Sequence, residues 1–572
     1  MPDIEAVLSS CLETLSKEYD IEVVNHVPKI KNSPQGYIWK VLLLVGIADE
    51  PQDIEVYMHF PSSFPNSMPN VFVTDDRFKH LPHISAKSRK LCTYEDGLVY
   101  DADNVEGLIR DNISSVRHWL EDFYGRDNAD EYIKEIRSYW QEQYEGENAV
   151  DDYWILVGDI PETTCEMTGI VYADKNLKDR KTFVISIVAT DNDNKTIECI
   201  KLQHEVINIP VLYLASLKIS DTPPFCMTGR DLVDRISDYN DKALFKKFLN
   251  RNGKANILFP IGIDNAIGGV IINSLNVNRN GFRNTSLTPY YVLTSLDGNK
   301  KLERLHASVY SSNRIARRTA GGLMERRHFL IAGLGSIGSN LCYYLNGYNN
   351  AAFTLTDKDF LTVDNIGRHL LGFNDISQYK SFAVADYLQK YRPDRDVKSL
   401  IANLQEVQEE EINSATMVFV CTGDVMSEKW LLSEMTAGIV RKPAILLWLE
   451  AYGISGIMIY INPYEADAIQ RLTEKANDSF MDYCLIKREE YADERKLIQR
   501  DAGCNGSYAL YSANDVTMFL SSVFPIIDRL LERPTESKCY RWIGNIDIAQ
   551  EKGISLVQSE GMSKNTLQEL PV

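Results

Sequence analysis

A glycine-rich turn between a hydrophobic strand and a helix is the feature that most restricts how this chain can fold. Residues 326–332 (RRHFLIA) form a predicted buried strand, and a helix is predicted over 340–346. Between them lie Gly333, Gly335 and Gly338 in a Gly-x-Gly-x-x-Gly pattern. In that pattern the three glycines permit a tight turn, a close approach of backbone to phosphate, and close helix–strand packing. The segment predicts a Rossmann-like domain with a parallel α/β sheet that binds an anionic nucleotide at the helix N-terminus.

Charged residues after the next predicted strand help to choose the nucleotide. Asp357 follows that strand at the place where a carboxylate binds ribose hydroxyls, which suits NAD as well as ATP. Arg368 and Lys380 come next. A dinucleotide needs no such concentration of positive charge. A triphosphate does, because negative charge accumulates on its leaving pyrophosphate. The sequence therefore favours ATP, with Arg314 or Arg317 as a candidate third cation.

The order and spacing of these motifs resemble the adenylation domain of ubiquitin-activating enzymes. The same ThiF/MoeB-type domain occurs in bacterial enzymes that adenylate sulfur-carrier proteins. Its Gly-x-Gly-x-x-Gly, Asp-x-Asp, Asn-x-x-Arg and downstream Lys all occur here in that order. The resemblance implies that Asp357 holds the ribose and that Asn365, Arg368 and Lys380 hold the phosphates of ATP.

The family also implies a magnesium ligand, an Asp directly after a Cys-Thr dipeptide. Here Cys421 and Thr422 are followed by Gly423, and an acidic residue comes one position later. Asp424 is therefore the candidate ligand for Mg²⁺. None of the ten cysteines forms a CxxC pair, so the zinc site of many relatives is not expected.

Cys504 is the first candidate nucleophile. It lies between two glycines in the sequence AGCNG, which leaves a thiol accessible. A helix predicted over 512–523 follows, and a nearby helix N-terminus lowers a thiol pKa. The alternative is a loop cysteine with no role. Activating enzymes of the family move the acyl group from AMP to such a cysteine, so the resemblance implies a thioester at Cys504.

The N-terminal region carries a second pattern. Helical spacing over 3–17 precedes strand-like runs at 38–47 and 54–60, and two amphipathic helices are predicted over 105–124 and 130–144. This order predicts a small α+β domain.

Three prolines and a downstream cysteine indicate which kind of α+β domain this is. A strand ends in Phe60-Pro61, Pro65 and Pro69 lead into the next strand, and His83 precedes Cys92. This resembles ubiquitin-conjugating enzymes, in which a His-Pro-Asn sequence precedes the active cysteine. The resemblance implies that Cys92 carries a thioester. His83 occupies the place of the Asn and is a candidate to support the oxyanion, the alternative being a turn histidine.

The middle of the chain offers no motif with assignable chemistry. The acidic segment 145–152 is a predicted linker. Beyond it one helix is predicted near 231–249, together with short strands at 153–157, 183–189, 257–263, 270–274 and 291–296. We interpret 151–312 as an α/β connector, a structural or docking module.

The length and net charge of the chain restrict its domain number and its function. At about 150 residues per domain, 572 residues suggest three or four domains, which we place at 1–150, 151–312 and 313–572. The net charge of −19 argues against a protein that coats nucleic acid. No signal peptide or apolar stretch of about 20 residues is seen, so a cytoplasmic protein without a membrane partner is expected.

Together the two halves resemble the fused conjugating and activating enzymes of CBASS antiphage systems. The resemblance implies adenylation of the C-terminal carboxylate of a cGAS/DncV-like nucleotidyltransferase, thioester relay from Cys504 to Cys92, and transfer to target protein lysines. This modification would prime the nucleotidyltransferase. It also implies a homodimer. Two alternatives stay open: a sulfur-carrier adenylyltransferase, and a nucleotide-binding scaffold with an inactive conjugating domain.

Overall fold

The computed structural model describes most of the chain. The described residues are 4–30, 33–47, 50–94, 97–144, 148–175, 182–190, 194–219, 225, 227–262, 266–283, 286–322, 324–492, 494–500, 507–557 and 561–572. They form two compact units. One comprises Met1–Ile197 and Lys201–Ser311, and the other comprises Glu198–Ile200 and Ser312–Val572.

The first unit begins with a five-stranded antiparallel sheet and its helices. In chain order these are α1 (Ile4–Leu15), β1 (Asp20–Val24), β2 (Tyr37–Ile47), β3 (Glu50–Phe60), β4 (Asn70–Val73), β5 (Lys90–Leu91) and α2 (Val105–Phe123). The long hairpin runs from Tyr37 opposite Phe60 to Ile47 opposite Glu50. Its alternating apolar residues pack with both helices in one core, as a strand period of two and a helix period of 3.6 require. Two short helices, α3 (Ala129–Lys134) and α4 (Ile136–Gln141), follow.

A closed seven-stranded barrel makes up the rest of this unit. Its strands are β6 (Asp151–Val157), β7 (Cys165–Lys175), β8 (Thr182–Ala189), β9 (Ile207–Tyr213), β10 (Ala255–Ile261), β11 (Ala266–Ile272) and β12 (Glu303–Tyr310). Their order is β10-β11-β12-β6-β8-β7-β9, and a parallel pairing of β9 with β10 closes the barrel. The helices of this region are α5 (Asn194–Gln203), of which Glu198–Ile200 belong to the second unit, α6 (Gly229–Asp234), α7 (Tyr239–Asn252) and α8 (Pro289–Tyr291).

The second unit is built on an eight-stranded sheet. Its elements are α9 (Ser312–Ala320), β13 (Arg327–Ala332), α10 (Ser336–Leu345), β14 (Ala351–Thr356), α11 (Lys380–Tyr391), β15 (Asp396–Leu400), α12 (Glu409–Ser414), β16 (Met417–Val420), α13 (Val425–Thr436), β17 (Ala444–Leu449), β18 (Ser455–Ile461), α14 (Ala466–Ala476), α15 (Glu494–Leu497), β19 (Ile498–Arg500), β20 (Ser507–Ala509), α16 (Ala513–Glu532), β21 (Lys538–Ile543), α17 (Ile546–Lys552) and β22 (Thr566–Pro571). The strand order is β15-β14-β13-β16-β17-β18-β21-β22, and β19 pairs with β20 separately.

Both faces of this sheet are covered by helices. Phe329 and Ile331 of β13 share a core with α10, α11 and α16, whereas Leu330 and Ala332 share another with α12, α13 and α14. A strand buried on both faces reads as a continuous apolar run, which is why this strand could be recognised in the sequence.

The sheet corrects one expectation, because it is mixed rather than wholly parallel. The five strands from β15 to β17 run parallel, and β18, β21 and β22 pair antiparallel. The mixed α/β, multidomain class with a C-terminal Rossmann-like domain is confirmed.

Other element predictions were wrong in detail. The predicted strand 291–296 is helical, because Thr288 caps a helix that starts at Pro289. The predicted helix 130–144 breaks at Glu135 into α3 and α4. The helix predicted at 231–249 is two helices, since Asp238 caps a new start. The three-domain division stays a prediction.

Candidate active site

The glycine turn between β13 and α10 is held by close backbone packing. Gly333 has φ +84°, and a Cβ there would lie 2.8 Å from the backbone of Thr422. A Cβ on Gly338 would lie 1.9 Å from the carbonyl oxygen of Gly333. Gly335 faces open space and precedes α10, which no side chain caps there. The turn therefore presents an uncapped helix N-terminus, which suits an anion.

Asp357 and His369 both hydrogen-bond to the backbone of Leu334 in this turn. The N–H of Leu334 donates to Oδ2 of Asp357 at 2.7 Å, and the N–H of Asp359 donates to its Oδ1 at 2.8 Å. Nδ1 of His369 accepts from the N–H of Leu371, so its Nε2 donates to the carbonyl of Leu334 at 2.7 Å. Burial lowers the pKa of His369 to about 4, so the ring stays neutral. No motif in the sequence signals this role of His369, although it directly follows Arg368.

A cavity of about 410 Å³ opens beside the turn. Its polar wall includes the predicted phosphate ligands, namely Gly335, Asn365, Arg368 and Lys380. Arg368 donates to the carbonyl of Ala509 at 2.8 Å, and its guanidinium lies 4.7 Å from the centre of the Tyr511 ring. The Lys380 side chain is 11% exposed, with Nζ 3.3 Å from Asp359. The fold thus brings two cations, 12 residues apart in sequence, to one cavity.

A second cavity of about 780 Å³ shares Asn365, Arg368 and Lys380 with the first. Its wall adds Phe360 and Tyr508. The side chains of Arg368 and Lys380 therefore line both cavities, and a ligand in either cavity would contact them.

Asp424 and Glu428 lie at the start of α13. The Asp424 carboxylate caps the helix, accepting from the N–H groups of Met426 and Ser427 and from the Ser427 hydroxyl. Glu428, which the sequence analysis did not select, is 3% exposed and lines the first cavity. Burial, with the nearby charge of Asp424, raises the pKa of Glu428 to about 7.

Glu428 predicts a pH dependence of stability. Its folded pKa lies above its ordinary value of 4.5, so the folded chain alone holds the proton between about pH 4.5 and 7. The free energy of unfolding should therefore fall by about 3 kcal/mol across that window as pH rises. Glu428→Gln should remove this slope in urea unfolding of the second unit, measured with EDTA and without nucleotide. The exposed Glu410→Gln variant should keep it, and parallel curves for all three proteins would contradict the assignment.

Cys92 directly follows β5 in the first unit. Its N–H donates to the carbonyl of His83 at 2.9 Å, next to a bridge between Ile84 and Leu91. Both bridge residues are buried, and Cys92 is exposed. This hydrogen bond places the backbones of His83 and Cys92 opposite each other, with Cys92 exposed and His83 half-buried, its ring 5.9 Å from the ring of Phe123.

Burial separates Cys92 from most other cysteines. Cys92 alone is exposed among the cysteines in the described part of the chain, and Cys342, Cys421, Cys484 and Cys539 are buried. Burial raises the pKa of each of these four thiols, which keeps them protonated. Cys504 lies outside the described residues.

The described residues lack two further features. They contain no group of three or more His, Cys, Asp or Glu side chains arranged to hold a metal ion. None of their helices combines the length and apolar character needed to cross a membrane.

Comparison with known proteins gives two family matches. Residues 321–487 match the ThiF family, and residues 38–148 match prokaryotic E2 family B. The chain carries a ThiF-family domain and a prokaryotic E2 family B domain. The ThiF match contains the glycine turn and the cavity residues Asn365, Arg368 and Lys380, and the E2 match contains Cys92 and His83. The resemblance to a fused conjugating and activating enzyme is thereby confirmed.

Two curated relatives are both named as ATP-dependent ubiquitin transferase-like proteins. The chain is 26% identical over 195 residues to the ATP-dependent ubiquitin transferase-like protein Cap2 of Pseudomonas aeruginosa, covering 33% of each chain. It is 26% identical over 104 residues to Cap2 of Enterobacter hormaechei subsp. hoffmannii, covering 18% of this chain and 17% of that one. The matches thus span a third or less of the relatives' length.

Solved structures match the chain only in part. PaaA is 15% identical, with 38% of this chain and 69% of that chain covered and a TM-score of 0.30. Escherichia coli MccB with ATP is 12% identical, with 38% and 60% covered and a TM-score of 0.28. The roles assigned above to individual residues stay predictions.

Proposed function

We propose that this chain is an ATP-dependent protein-conjugating enzyme that combines activation and conjugation. The observation that carries the proposal is one polypeptide with both a cation-lined cavity at a ThiF glycine turn and an exposed cysteine in an E2-type domain. The name of the Cap2 relatives supports the same reaction class. The resemblance to CBASS enzymes supports a role in antiphage defence, and we propose that the reaction takes place in the cytoplasm.

The ThiF domain would perform the adenylation. ATP would lie on the uncapped start of α10, with its phosphates at Asn365, Arg368 and Lys380, which line the first cavity. The family resemblance assigns the ribose to Asp357, whose carboxylate accepts from the N–H of Leu334 in the turn. A substrate carboxylate oxygen attacks the α-phosphorus, the bond to the β-phosphate oxygen breaks, and acyl-AMP and pyrophosphate result. Arg368 and Lys380 would stabilise the charge that develops on the pyrophosphate.

Mg²⁺ would bind beside this site, at the start of α13. Asp424 is the proposed ligand, and the cavity-lining carboxylate of Glu428 lies in the same turn of α13. Carboxylate oxygens suit Mg²⁺, which when bound neutralises charge on transferring phosphates.

Two cysteines would then carry the acyl group. The Cys504 thiolate displaces AMP, and the Cys92 thiolate displaces Cys504 by thioester exchange. A lysine amine of a target protein attacks the Cys92 thioester, loses a proton, and releases the thiol with formation of an isopeptide bond. His83, opposite Cys92, would stabilise the oxyanion of the last step.

The substrate and assembly follow from the family resemblance. We propose the C-terminus of a cGAS/DncV-like nucleotidyltransferase as the activated carboxylate, with priming of that enzyme as the outcome. Self-association of the chain into a homodimer is supported by exposed aromatic side chains on α10 and α11, namely Tyr343, Phe382 and Tyr391.

Trapping the two thioesters tests this function. In ATP and a purified cGAS/DncV-like nucleotidyltransferase, intact-mass analysis should show a reducing-agent-sensitive adduct on the wild-type chain. Cys92→Ala should accumulate it on Cys504, Cys504→Ala should lose it at both sites, and the control Cys199→Ala should behave as wild type. Pyrophosphate exchange without an adduct would favour a sulfur-carrier adenylyltransferase, and no ATP turnover would favour a nucleotide-binding scaffold.

A further inference from the structure

The turn that carries His83 depends on contacts from outside itself. His83 has φ +62°, a left-handed conformation that a residue with a side chain rarely adopts. In a regular antiparallel ladder its N–H would donate to the carbonyl of Cys92. It donates instead to the hydroxyl of Tyr139, at 2.7 Å. The backbone of His83 is therefore held by a side chain 56 residues away in the sequence.

The same hydroxyl connects His83 to a carboxylate. Tyr139 donates to Oε2 of Glu135 at 3.2 Å, and that oxygen lies 3.4 Å from Nδ1 of His83. Burial raises the pKa of Tyr139, so its hydroxyl stays protonated and can donate and accept at once. With Nδ1 directed at Glu135, Nε2 is the nitrogen left for a ligand at Cys92.

Neighbouring residues attach the rest of this turn to the same segment. The Tyr132 hydroxyl donates to the carbonyl of His80, and the N–H of Ala86 donates to Glu142 at 2.5 Å. The segment formed by α3, α4 and Glu142 therefore contacts the turn before, at and after His83.

That segment is in turn fixed to the barrel. Trp140 of α4 is fully buried, and its Nε1 donates to the carbonyl of Leu305 in β12 at 2.7 Å. Arg304 of β12 donates to the carbonyls of Trp140 and Glu142, both at 2.7 Å. Nε of Arg137 donates to Nε2 of His306 at 3.0 Å. Three consecutive barrel residues thus hold the helix that carries Tyr139.

We propose that Glu135 and Tyr139 are positioning residues that orient His83 for acyl transfer from Cys92, and that the barrel acts as the rigid support of this arrangement. This gives the middle of the chain a role in the conjugation step. The inference rests on the proposed function only for the transfer from Cys92; it does not depend on adenylation.

The test therefore loads Cys92 without ATP. A peptide thioester of 2-mercaptoethanesulfonate is exchanged onto Cys92 of the full chain in a Cys504→Ser background, peptide mapping confirms the position, and free lysine discharges it. Glu135→Gln and Tyr139→Phe should each lower the discharge rate at saturating lysine about 10- to 100-fold, with the half-saturating lysine concentration unchanged. Tyr132→Phe, which loses a bond to the same turn at His80, is the matched control and should stay within about threefold of the parent.

Two further measurements separate positioning from a general loss of structure. In a His83→Ala background, Glu135→Gln and Tyr139→Phe should have no added effect on discharge, since they act through His83. In the unloaded chain, Tyr139→Phe should speed amide hydrogen exchange at His83 while melting as the parent does. Additive effects, parental discharge in both variants, or unchanged exchange at His83 would each overturn the inference. A failure of ATP-dependent loading with these results intact would refute the proposed function alone.

Discussion

Replacing Gly338 by alanine is expected to destabilise the ThiF domain by about 3 kcal/mol or more. The added Cβ would lie 1.9 Å from the carbonyl oxygen and 3.0 Å from the carbonyl carbon of Gly333, and 3.2 Å from Cβ of Cys421. The two closest atoms belong to backbone, and Gly333 is itself confined by the backbone of Thr422. Neither the turn nor α10 can move away without disturbing the buried sheet. Calorimetry should show the melting transition of the second unit lowered by about 5 °C or more.

Gly335→Ala is the matched control for this experiment. Gly335 lies three residues earlier in the same turn, has φ −72°, and has open space where a Cβ would be added. Its melting temperature should stay within about 2 °C of the parent. If the melting temperature of Gly338→Ala equals that of Gly335→Ala and the parent, close packing is not the reason for a glycine at position 338.

Replacing Lys380 by methionine is expected to lower ATP–pyrophosphate exchange about 100- to 1,000-fold. The ammonium is nearly buried at the cavity wall shared by both cavities, so solvent screens its field weakly. Methionine keeps much of the length and apolar stem of lysine but removes the charge that would face the leaving pyrophosphate. The rate of exchange of labelled pyrophosphate into ATP measures the effect, with calorimetric titration reporting ATP binding.

Lys390→Met is the control on the same helix. Lys390 lies ten residues after Lys380 in α11, is half exposed, and pairs with Asp386 in the preceding turn. The exchange rate of this variant should equal that of the parent. Parental exchange in Lys380→Met would remove this lysine from the phosphate site, and an equal loss in both variants would point to damage to α11 instead.

The two variants test different parts of the same prediction. Gly338→Ala tests whether the turn can form, and Lys380→Met tests what the formed turn binds. Both residues were selected from the sequence, because a strand, a glycine turn and a helix follow one another directly. Cys92 was selected in the same way, from prolines and a histidine within a short distance.

Residues that act at a distance were not selected. Glu428 is not part of any sequence motif. Its burial at the cavity follows from the packing of α13, which only the structure shows. His369 has no recognisable role in the sequence. The structure shows that its two ring nitrogens hydrogen-bond to the backbone of Leu334 and Leu371. The predicted strand at 291–296 failed for a related reason, since the cap at Thr288 outweighed the β-propensity of the residues after it.

The sequence by itself therefore determined the Rossmann-like domain, its glycine turn and the E2-type domain with Cys92, because these depend on residues that are close along the chain. Only the tertiary structure decided how the turn of His83 is held. Tyr139 lies 56 residues from His83, and Trp140 lies 165 residues from Leu305. Contacts at such separations come from the packing of whole elements, which local periodicity and motif spacing do not encode.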